Sequence, residues 1–98
     1  MGTRRTVRIE EREIRESLVR ASGPGGQNVN KVSTAVQLRF DIPRSSSLSE
    51  DVKERLIRLG GKRVTGEGVL IIEAGRFRTQ ERNRKDARER LADLVARA

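Results

Sequence analysis

The regular alternation of apolar and polar residues in positions 36–42 predicts a strand. Apolar side chains stand at Val36, Leu38, Phe40 and Ile42, and polar ones fill the positions between them. A period of two is typical of a half-buried strand. The proline at position 43 has no N–H to donate to a neighbouring strand, so we expect the strand to end there.

Other strands are predicted with less regular patterns. Residues 1–13 are largely polar and indicate an arm or a short edge strand, and residues 14–21 indicate a strand. Residues 69–73 begin with four consecutive apolar side chains, which is typical of a strand buried on both faces, so we expect this strand at the centre of the sheet. Residues 62–65 predict a further strand piece, joined to it by a glycine-containing turn at 66–68.

A first helix is predicted after residue 46. Ser47 and Glu50 have the spacing of a capping box, in which the serine hydroxyl accepts the backbone N–H of the glutamate. Apolar residues then recur at helical spacing, and Gly60 is a natural end for the helix. The apolar residues of this stripe are Leu48, Val52, Leu56 and Leu59.

A second helix is predicted over residues 79–98, where the apolar side chains form one stripe and the other face is mostly charged. The stripe consists of Ala87, Leu91, Leu94 and Val95. The resulting order is strand, strand, helix, strand, helix. It predicts one α+β domain over residues 1–98, in which a small sheet of three to four strands packs two helices on one face.

Composition and charge narrow the possible functions. The 98 residues suffice for one small domain, and 22 Lys and Arg against 14 Asp and Glu give a net charge of +8, which favours a polyanionic partner such as nucleic acid. Phe40 and Phe77 are the only aromatic residues and are expected in the core, so a base-stacking platform is not expected. No apolar run is long enough to span a membrane, and no membrane partner is expected.

The chain contains no Cys and no His, which excludes the nucleophiles, general bases, metal sites and disulfides that need them. The lack of Cys is compatible with a reducing cytoplasm. The acidic residues near the N-terminus lack a metal-ligand spacing, so we expect a solvated run and no metal. They are Glu10, Glu11, Glu13 and Glu16.

The segment between the first two strands, residues 22–31, contains three glycines, one proline and three amide side chains. It is longer than the two to five residues, roughly, that a hairpin needs. Glycine lets a ligand approach the backbone closely, and unpaired N–H groups can stabilise a developing negative charge. The same composition also fits a flexible turn, and composition alone does not choose between the two.

The sequence of this segment resembles the Gly-Gly-Gln (GGQ) catalytic domain of class I peptide chain release factors. It is most similar to the short ribosome-rescue peptidyl-tRNA hydrolases that consist of this domain. The likeness continues through residues 34–41 and 76–84 and covers about residues 9–98. The matching loop reads Ser22-Gly23-Pro24-Gly25-Gly26-Gln27-Asn28-Val29-Asn30-Lys31-Val32.

The resemblance implies a peptidyl-tRNA hydrolase, which cleaves the ester between nascent peptide and tRNA on stalled ribosomes without a stop codon. Gly25, Gly26 and Gln27 are then the catalytic residues. The implied partners are ribosomal RNA of the peptidyl-transferase centre and P-site peptidyl-tRNA, and no cofactor is implied. We expect a monomer, because no large apolar face is left over, and the bacterial cytoplasm rather than an organelle.

Polar and basic residues near the loop and in residues 76–98, which carry eight basic and four acidic side chains, are expected to contact RNA. The alternatives to RNA contact are that the loop residues only shape a turn and that the helix face is solvated, with ion pairs such as Glu81–Lys85. Gln80 and Asn83 fit either a structural or an RNA-facing role. The RNA-binding candidates are Arg20, Asn28, Asn30, Lys31, Arg78, Arg82, Arg84, Lys85 and Arg88.

Two other interpretations remain open from the sequence. The chain can be a non-catalytic, basic module that binds RNA or the ribosome, or the catalytic domain of a longer release factor. The domains with which release factors read stop codons are not in this sequence, so decoding is not expected. Short relatives usually carry a basic tail after the last helix, whereas this sequence stops at Ala98. We therefore expect weak or no rescue activity from the 98 residues by themselves.

Overall fold

The computed structural model describes residues 9–20 and 34–98, which form a three-stranded antiparallel sheet and two helices. The strands are β1 (Ile14–Arg20), β2 (Thr34–Asp41) and β3 (Val69–Ala74). The helices are α1 (Glu50–Gly60) and α2 (Gln80–Arg97), and short 3-10 turns cover Glu11–Glu13 and Gly61–Arg63. The predicted α+β class and the predicted order of elements are confirmed.

The central strand of the described sheet is β2, because the strand order is β1-β2-β3. The expectation that residues 69–73 form the central strand is therefore wrong. In β3, Leu70 and Ile72 are buried on the face towards the helices, while Val69 and Ile71 are half-buried on the other face. The continuous apolar run thus reflects an edge strand whose outer face is partly covered.

Residues 62–65 do not form the predicted strand piece. The helix α1 is followed by Gly61, whose φ of 55° turns the chain into the 3-10 turn, and only Val64 forms an isolated bridge, to Leu70. The turn before β3 depends on Gly68, which has a φ of 88°. A Cβ atom at this position would lie 2.7 Å from Cγ of Pro43, so the close approach of these two segments requires glycine.

The hydrophobic core lies between the sheet and the helical layer. The register aligns the buried side chains of β2 with those of β3, so that Leu38 faces Ile72 and Phe40 faces Leu70. The predicted stripe of α2 covers them, and Leu56 of α1 joins the same cluster. The stripe residues Ala87, Leu91, Leu94 and Val95 are all buried, as the sequence predicted.

The cap of α1 differs from the prediction. Ser49, and not Ser47, is the N-cap, and its hydroxyl accepts the backbone N–H of Val52 at 3.3 Å. The Ser47 hydroxyl instead donates to Oε2 of Glu13 at 2.5 Å, and the Ser45 hydroxyl donates to Oε1 of the same carboxylate at 2.5 Å. Ser47 is unavailable as a cap because a residue distant in sequence holds its hydroxyl.

Glu13 therefore ties the 3-10 turn before β1 to the connection between β2 and α1. Partial burial by itself raises the pKa of the Glu13 carboxyl, but the hydrogen bonds from Ser45 and Ser47 outweigh it and hold the pKa below its ordinary value. The expectation of a solvated acidic run is wrong for Glu13, which is half-buried, and for Glu16, whose side chain is 17% exposed.

Replacing the observed cap tests this helix start. Ser49→Ala removes the acceptor for the N–H of Val52 in the first turn of α1 and should lower the free energy of unfolding by about 1 kcal/mol. Ser46→Ala, at an exposed neighbouring position, is the control and should change it little. Urea denaturation measures both variants, and equal stability of Ser49→Ala and the parent chain would contradict the cap.

The Glu13 carboxylate should also contribute to the pH dependence of stability. Because its pKa is lowered in the folded chain, its contribution is complete above the pKa of the unfolded chain and is lost as the pH falls through the lower folded value. Glu13→Gln should cost about 1.5 kcal/mol of unfolding free energy at pH 7, since hydrogen bonds to a charged acceptor are lost.

The difference in unfolding free energy between the parent chain and Glu13→Gln should become smaller as the pH falls towards 3. Glu10→Gln, in the same segment, is the control, because the Glu10 carboxylate pairs with Arg12 at the surface. A difference that stays constant from pH 7 to pH 3 would show that the ionised Glu13 carboxylate does not stabilise the fold.

Candidate functional site

The segment that carries the loop motif is attached to two neighbouring strands. The β1–β2 register runs from Ile14↔Phe40 to Arg20↔Thr34, so the two ends of segment 21–33 start from adjacent positions, about 5 Å apart. The last residue of β3, Ala74, pairs with Val36 near the same end of the sheet. The connection from β3 to α2 therefore lies at the end of the sheet to which the loop is attached.

The predicted catalytic residues lie outside the described part of the chain, so their roles stay predictions. Among the RNA-binding candidates, the loop residues also lie outside it, and Arg20 is described only as the last backbone position of β1. The candidates outside the described residues are Gly25, Gly26, Gln27, Asn28, Asn30 and Lys31.

The connection between β3 and α2 is fixed by the first turn of the helix. Thr79 is the N-cap and accepts the N–H of Arg82 at 3.2 Å. The amide of Asn83, which is fully buried, accepts the N–H of Phe77 at 2.9 Å and donates to the carbonyl of Phe77 at 3.0 Å. Asn83, which the sequence left open, therefore has a structural role.

Phe77 supports two arginines at this end of the molecule. The guanidinium of Arg82 lies 4.4 Å from the centre of the Phe77 ring, and that of Arg76 lies 5.0 Å from it. Both distances are within the range of cation–π attraction. Phe77 is half-buried, so the expectation of a core position holds for Phe40 but only in part for Phe77.

A buried carboxylate orders the same region. The side chain of Asp86 is 5% exposed, and its two oxygens lie 3.0 Å from Nη2 of Arg76 and 3.2 Å from Nη2 of Arg90. The two ion pairs of Asp86 link the connection before α2, which carries Arg76, to the second and third turns of the helix. A buried charge without a partner is strongly unfavourable, so Asp86 fixes the position of Arg76.

Two of the predicted RNA-binding arginines form ion pairs within the protein. Arg84 lies 3.2 Å from Glu16, and Arg88 contacts the carboxylates of both Glu16, at 2.7 Å, and Glu11. These bonds lower the pKa of the Glu11 carboxyl, chiefly through the hydrogen bond from Arg88, and raise the pKa of the Arg88 guanidinium. The ion pairs attach α2 to β1 and to the turn that precedes it.

The other candidates, in α2 and just before it, are more accessible. Arg78 and Lys85 are exposed and have no ion pair within the described residues, while Arg82 is exposed above Phe77. Arg78, Arg82 and Lys85 are therefore better placed to meet an external anion than Arg84 and Arg88.

Patterns in the sequence do indicate the structural roles of Glu16 and Asn83. Glu16 stands between Ile14 and Leu18 in β1, at a position that the alternation directs towards the helices. Asn83 precedes Ala87 by four residues and extends the apolar stripe of α2 by one turn. A polar residue at an inward position of either element indicates a buried partner.

Metal and membrane sites are not found in the described part of the chain. No group of three or more acidic side chains there could hold a metal ion. Neither of the two described helices is long and apolar enough to cross a membrane.

Comparison with known proteins identifies the family. A family model described as "RF-1 domain" matches residues 3–98. The chain is 58% identical over 89 residues to peptidyl-tRNA hydrolase ArfB of Pseudomonas putida, which covers 91% of this chain and 64% of that protein. It is 32% identical over 82 residues to the large ribosomal subunit protein mL62 of Mus musculus, covering 84% of this chain and 40% of that protein.

A shorter match of 30 residues, 57% identical, connects the chain to peptide chain release factor 1 of Lactococcus lactis and covers 31% of this chain and 8% of that protein. The chain thus spans less than two thirds of the length of each of these relatives. The resemblance inferred from the loop motif is confirmed, and the chain belongs to the RF-1 domain family.

Proposed function

We propose that this chain is a ribosome-dependent peptidyl-tRNA hydrolase, which releases the nascent peptide from stalled ribosomes without a stop codon. The observation that carries the proposal is the 58% identity to peptidyl-tRNA hydrolase ArfB over 91% of the chain. The interpretation as part of a longer release factor is less favoured, because the match to release factor 1 covers only 31% of the chain.

The chemistry is an ester hydrolysis in which the protein provides no covalent nucleophile. Water attacks the carbonyl carbon, the bond to the ribose oxygen of the tRNA breaks, and the proton from water passes to that oxygen. The chain has no Cys and no His, so neither side chain can act as a nucleophile or base. What the protein can contribute is geometry and a hydrogen-bond donor at the oxyanion.

In this proposal, the backbone N–H of Gln27 stabilises the oxyanion of the tetrahedral state. One such donor is typically worth about 3–4 kcal/mol of barrier. The side-chain amide of Gln27 both donates and accepts hydrogen bonds, so it can position the attacking water. Gly25 and Gly26 allow a backbone conformation and a close approach that a Cβ atom would prevent.

The proposed partners are ribosomal RNA of the large subunit and P-site peptidyl-tRNA. The antiparallel register supports this, because the ends of segment 21–33 leave the sheet at the same end as the connection from β3 to α2, which carries the exposed Arg78. We assign RNA contacts first to Arg78, Arg82 and Lys85, which are exposed and form no ion pair within the described residues. The candidates Arg20, Asn28, Asn30 and Lys31 at the loop keep the role that the sequence predicts.

The proposed location is the bacterial cytoplasm, since identity to the Pseudomonas protein is 58% and to the mouse protein 32%. The proposed state is a monomer. Leu18 and Ile57 are the exposed large hydrophobic residues of the described part, and single residues of this kind do not form an interface.

Substitutions of Gln27 test the proposed mechanism. Gln27→Pro removes the backbone N–H and should slow peptide release at least about 100-fold, because one oxyanion donor is lost. Gln27→Ala keeps the N–H and should retain measurable release. The assay is single-turnover release of peptide from P-site peptidyl-tRNA on 70S ribosomes, with the protein in excess.

Gly26→Ala is the matched control for loop geometry and should also reduce release. Full activity of Gln27→Pro would contradict the backbone role. A non-catalytic RNA-binding module, the alternative interpretation, would give no release from the parent chain and would make all three variants indistinguishable from it.

Two double variants with the same loss of charge separate RNA contact from structural pairing. Arg78→Gln with Lys85→Gln should weaken ribosome binding about tenfold and leave the melting temperature unchanged. Arg84→Gln with Arg88→Gln leaves Glu16 without a cation and should lower the free energy of unfolding by about 1 to 2 kcal/mol.

Binding is measured by co-sedimentation with 70S ribosomes, and stability by thermal and urea denaturation. The assignment of Arg84 and Arg88 to structure would be wrong if their double variant kept its stability and lost ribosome affinity as strongly as the Arg78 and Lys85 variant.

A further inference from the structure

The outer face of the sheet, opposite to α2, carries two arginines directly across from each other. The β1–β2 register pairs Arg15 with Arg39, and both side chains are exposed. Neither forms an ion pair with a carboxylate within the described residues. Like charges at opposed positions of neighbouring strands repel each other and weaken the pairing. Their placement therefore does not serve the stability of the isolated sheet.

A third arginine adjoins the pair on a well-anchored segment. Arg44 follows β2, is exposed, and its backbone N–H contacts Oδ1 of Asp41 at 3.4 Å. The next residue, Ser45, is buried and is held by its hydrogen bond to Glu13. The three arginines border a depression of about 490 Å³ in the outer surface.

The charge around the depression is positive. Arg12 also borders it, so four guanidinium groups face two carboxylates, those of Glu13 and Asp41. The Glu13 carboxylate is already occupied by hydroxyl donors from Ser45 and Ser47. Arg12 is paired with Glu10 at 2.7 Å, which leaves Arg15, Arg39 and Arg44 available to an anion.

The chemistry of the depression fits phosphate groups and not bases. Guanidinium groups present planar forks that match phosphate oxygens. No aromatic side chain borders the depression, so bases have no stacking partner there. Such a surface positions a nucleic-acid backbone without reading its sequence.

We propose that Arg15, Arg39 and Arg44 form a second RNA-contacting surface, which binds backbone phosphates of ribosomal RNA. This rests on the proposed function for the choice of ribosomal RNA. Arg15 precedes Arg20 by five strand positions, so the surface lies about 17 Å along the sheet from the attachment of the loop segment. It is on the opposite face of the sheet from the basic residues of α2, so in this proposal RNA contacts the domain on two sides.

The test is the salt dependence of ribosome binding by the chain with Arg15→Gln and Arg39→Gln together. The affinity for 70S ribosomes is measured between 50 and 200 mM salt, a range that spans strong to weak phosphate binding. The slope of log affinity against log salt should become shallower by about 1.4 to 1.8 for two lost phosphate contacts. The matched control, Arg58→Gln with Lys62→Gln, removes two exposed charges from the helical layer and should leave the slope unchanged.

The melting temperature of the same variant is a second measurement. If the two arginines stabilised the fold, their replacement would lower it. Removing two opposed like charges should leave it unchanged or raise it, while binding becomes weaker. An unchanged slope, an equal change in the control variant, or the absence of binding by the parent chain at the lowest salt would overturn the proposal.

Binding to protein-free 23S ribosomal RNA distinguishes the kind of partner. The same difference in slope is expected there, and a difference confined to intact ribosomes would assign the surface to an acidic ribosomal protein and overturn the RNA assignment. A separate measurement of peptide release distinguishes a failure of this proposal from a failure of the proposed activity. If the parent chain and the variant differ in slope as predicted but the parent chain releases no peptide, the activity is contradicted and the surface is not.

Discussion

The alignment of β1 with β2 is the constraint on which the other features depend. It pairs Arg20 with Thr34 and so brings the two ends of the loop segment together. It also directs Glu16 towards α2 and Arg15 away from it. A shift of the register by one residue would reverse every side chain of β1 between the two faces of the sheet. The carboxylate would then lose its arginine partners, and an unpaired arginine would face the core.

Four arginines near β1 divide into two groups according to this alignment. Arg84 and Arg88 of α2 lie on the side of the sheet to which Glu16 points, and both pair with its carboxylate. Those on the outer face, Arg15 and Arg39, find none within the described residues. A high net charge is thus compatible with a small fold, because part of it is neutralised inside the protein and part is left for an external anion.

The sequence predicted the parts of the fold that have a local cause. The period of two in β2 and the apolar stripe of α2 follow directly from burial on one face, and both were confirmed. The position of β3 at the edge could not be predicted, because strand order depends on pairing between segments distant in sequence. The cap of α1 was assigned to Ser47 and not Ser49 for the same reason, since Glu13 lies 34 residues away from Ser47 in the chain.

The sequence predicted the family of the candidate site but not which of its basic residues are accessible. The loop motif identified the family because its residue types and spacing are specific, and the family match over residues 3–98 agrees with it. The split among the basic residues of α2 was not visible in their spacing. Ion pairing of Arg88 with Glu11 joins residues 77 positions apart, which no local pattern contains. Charge density therefore identified the helix but not the side chains that remain accessible.

The strand β1 is attached to the domain differently from β2. On its inner face, Ile14 is half-buried and Leu18 is 55% exposed, so apolar burial secures this strand much less than β2. Backbone pairing with β2 and the carboxylate of Glu16 supply the rest of its attachment. Ions in solution screen such charge pairs. The ionic strength of the surroundings therefore influences how firmly β1 is attached to the rest of the domain, whereas the packing of β2, β3 and α2 is nearly insensitive to it.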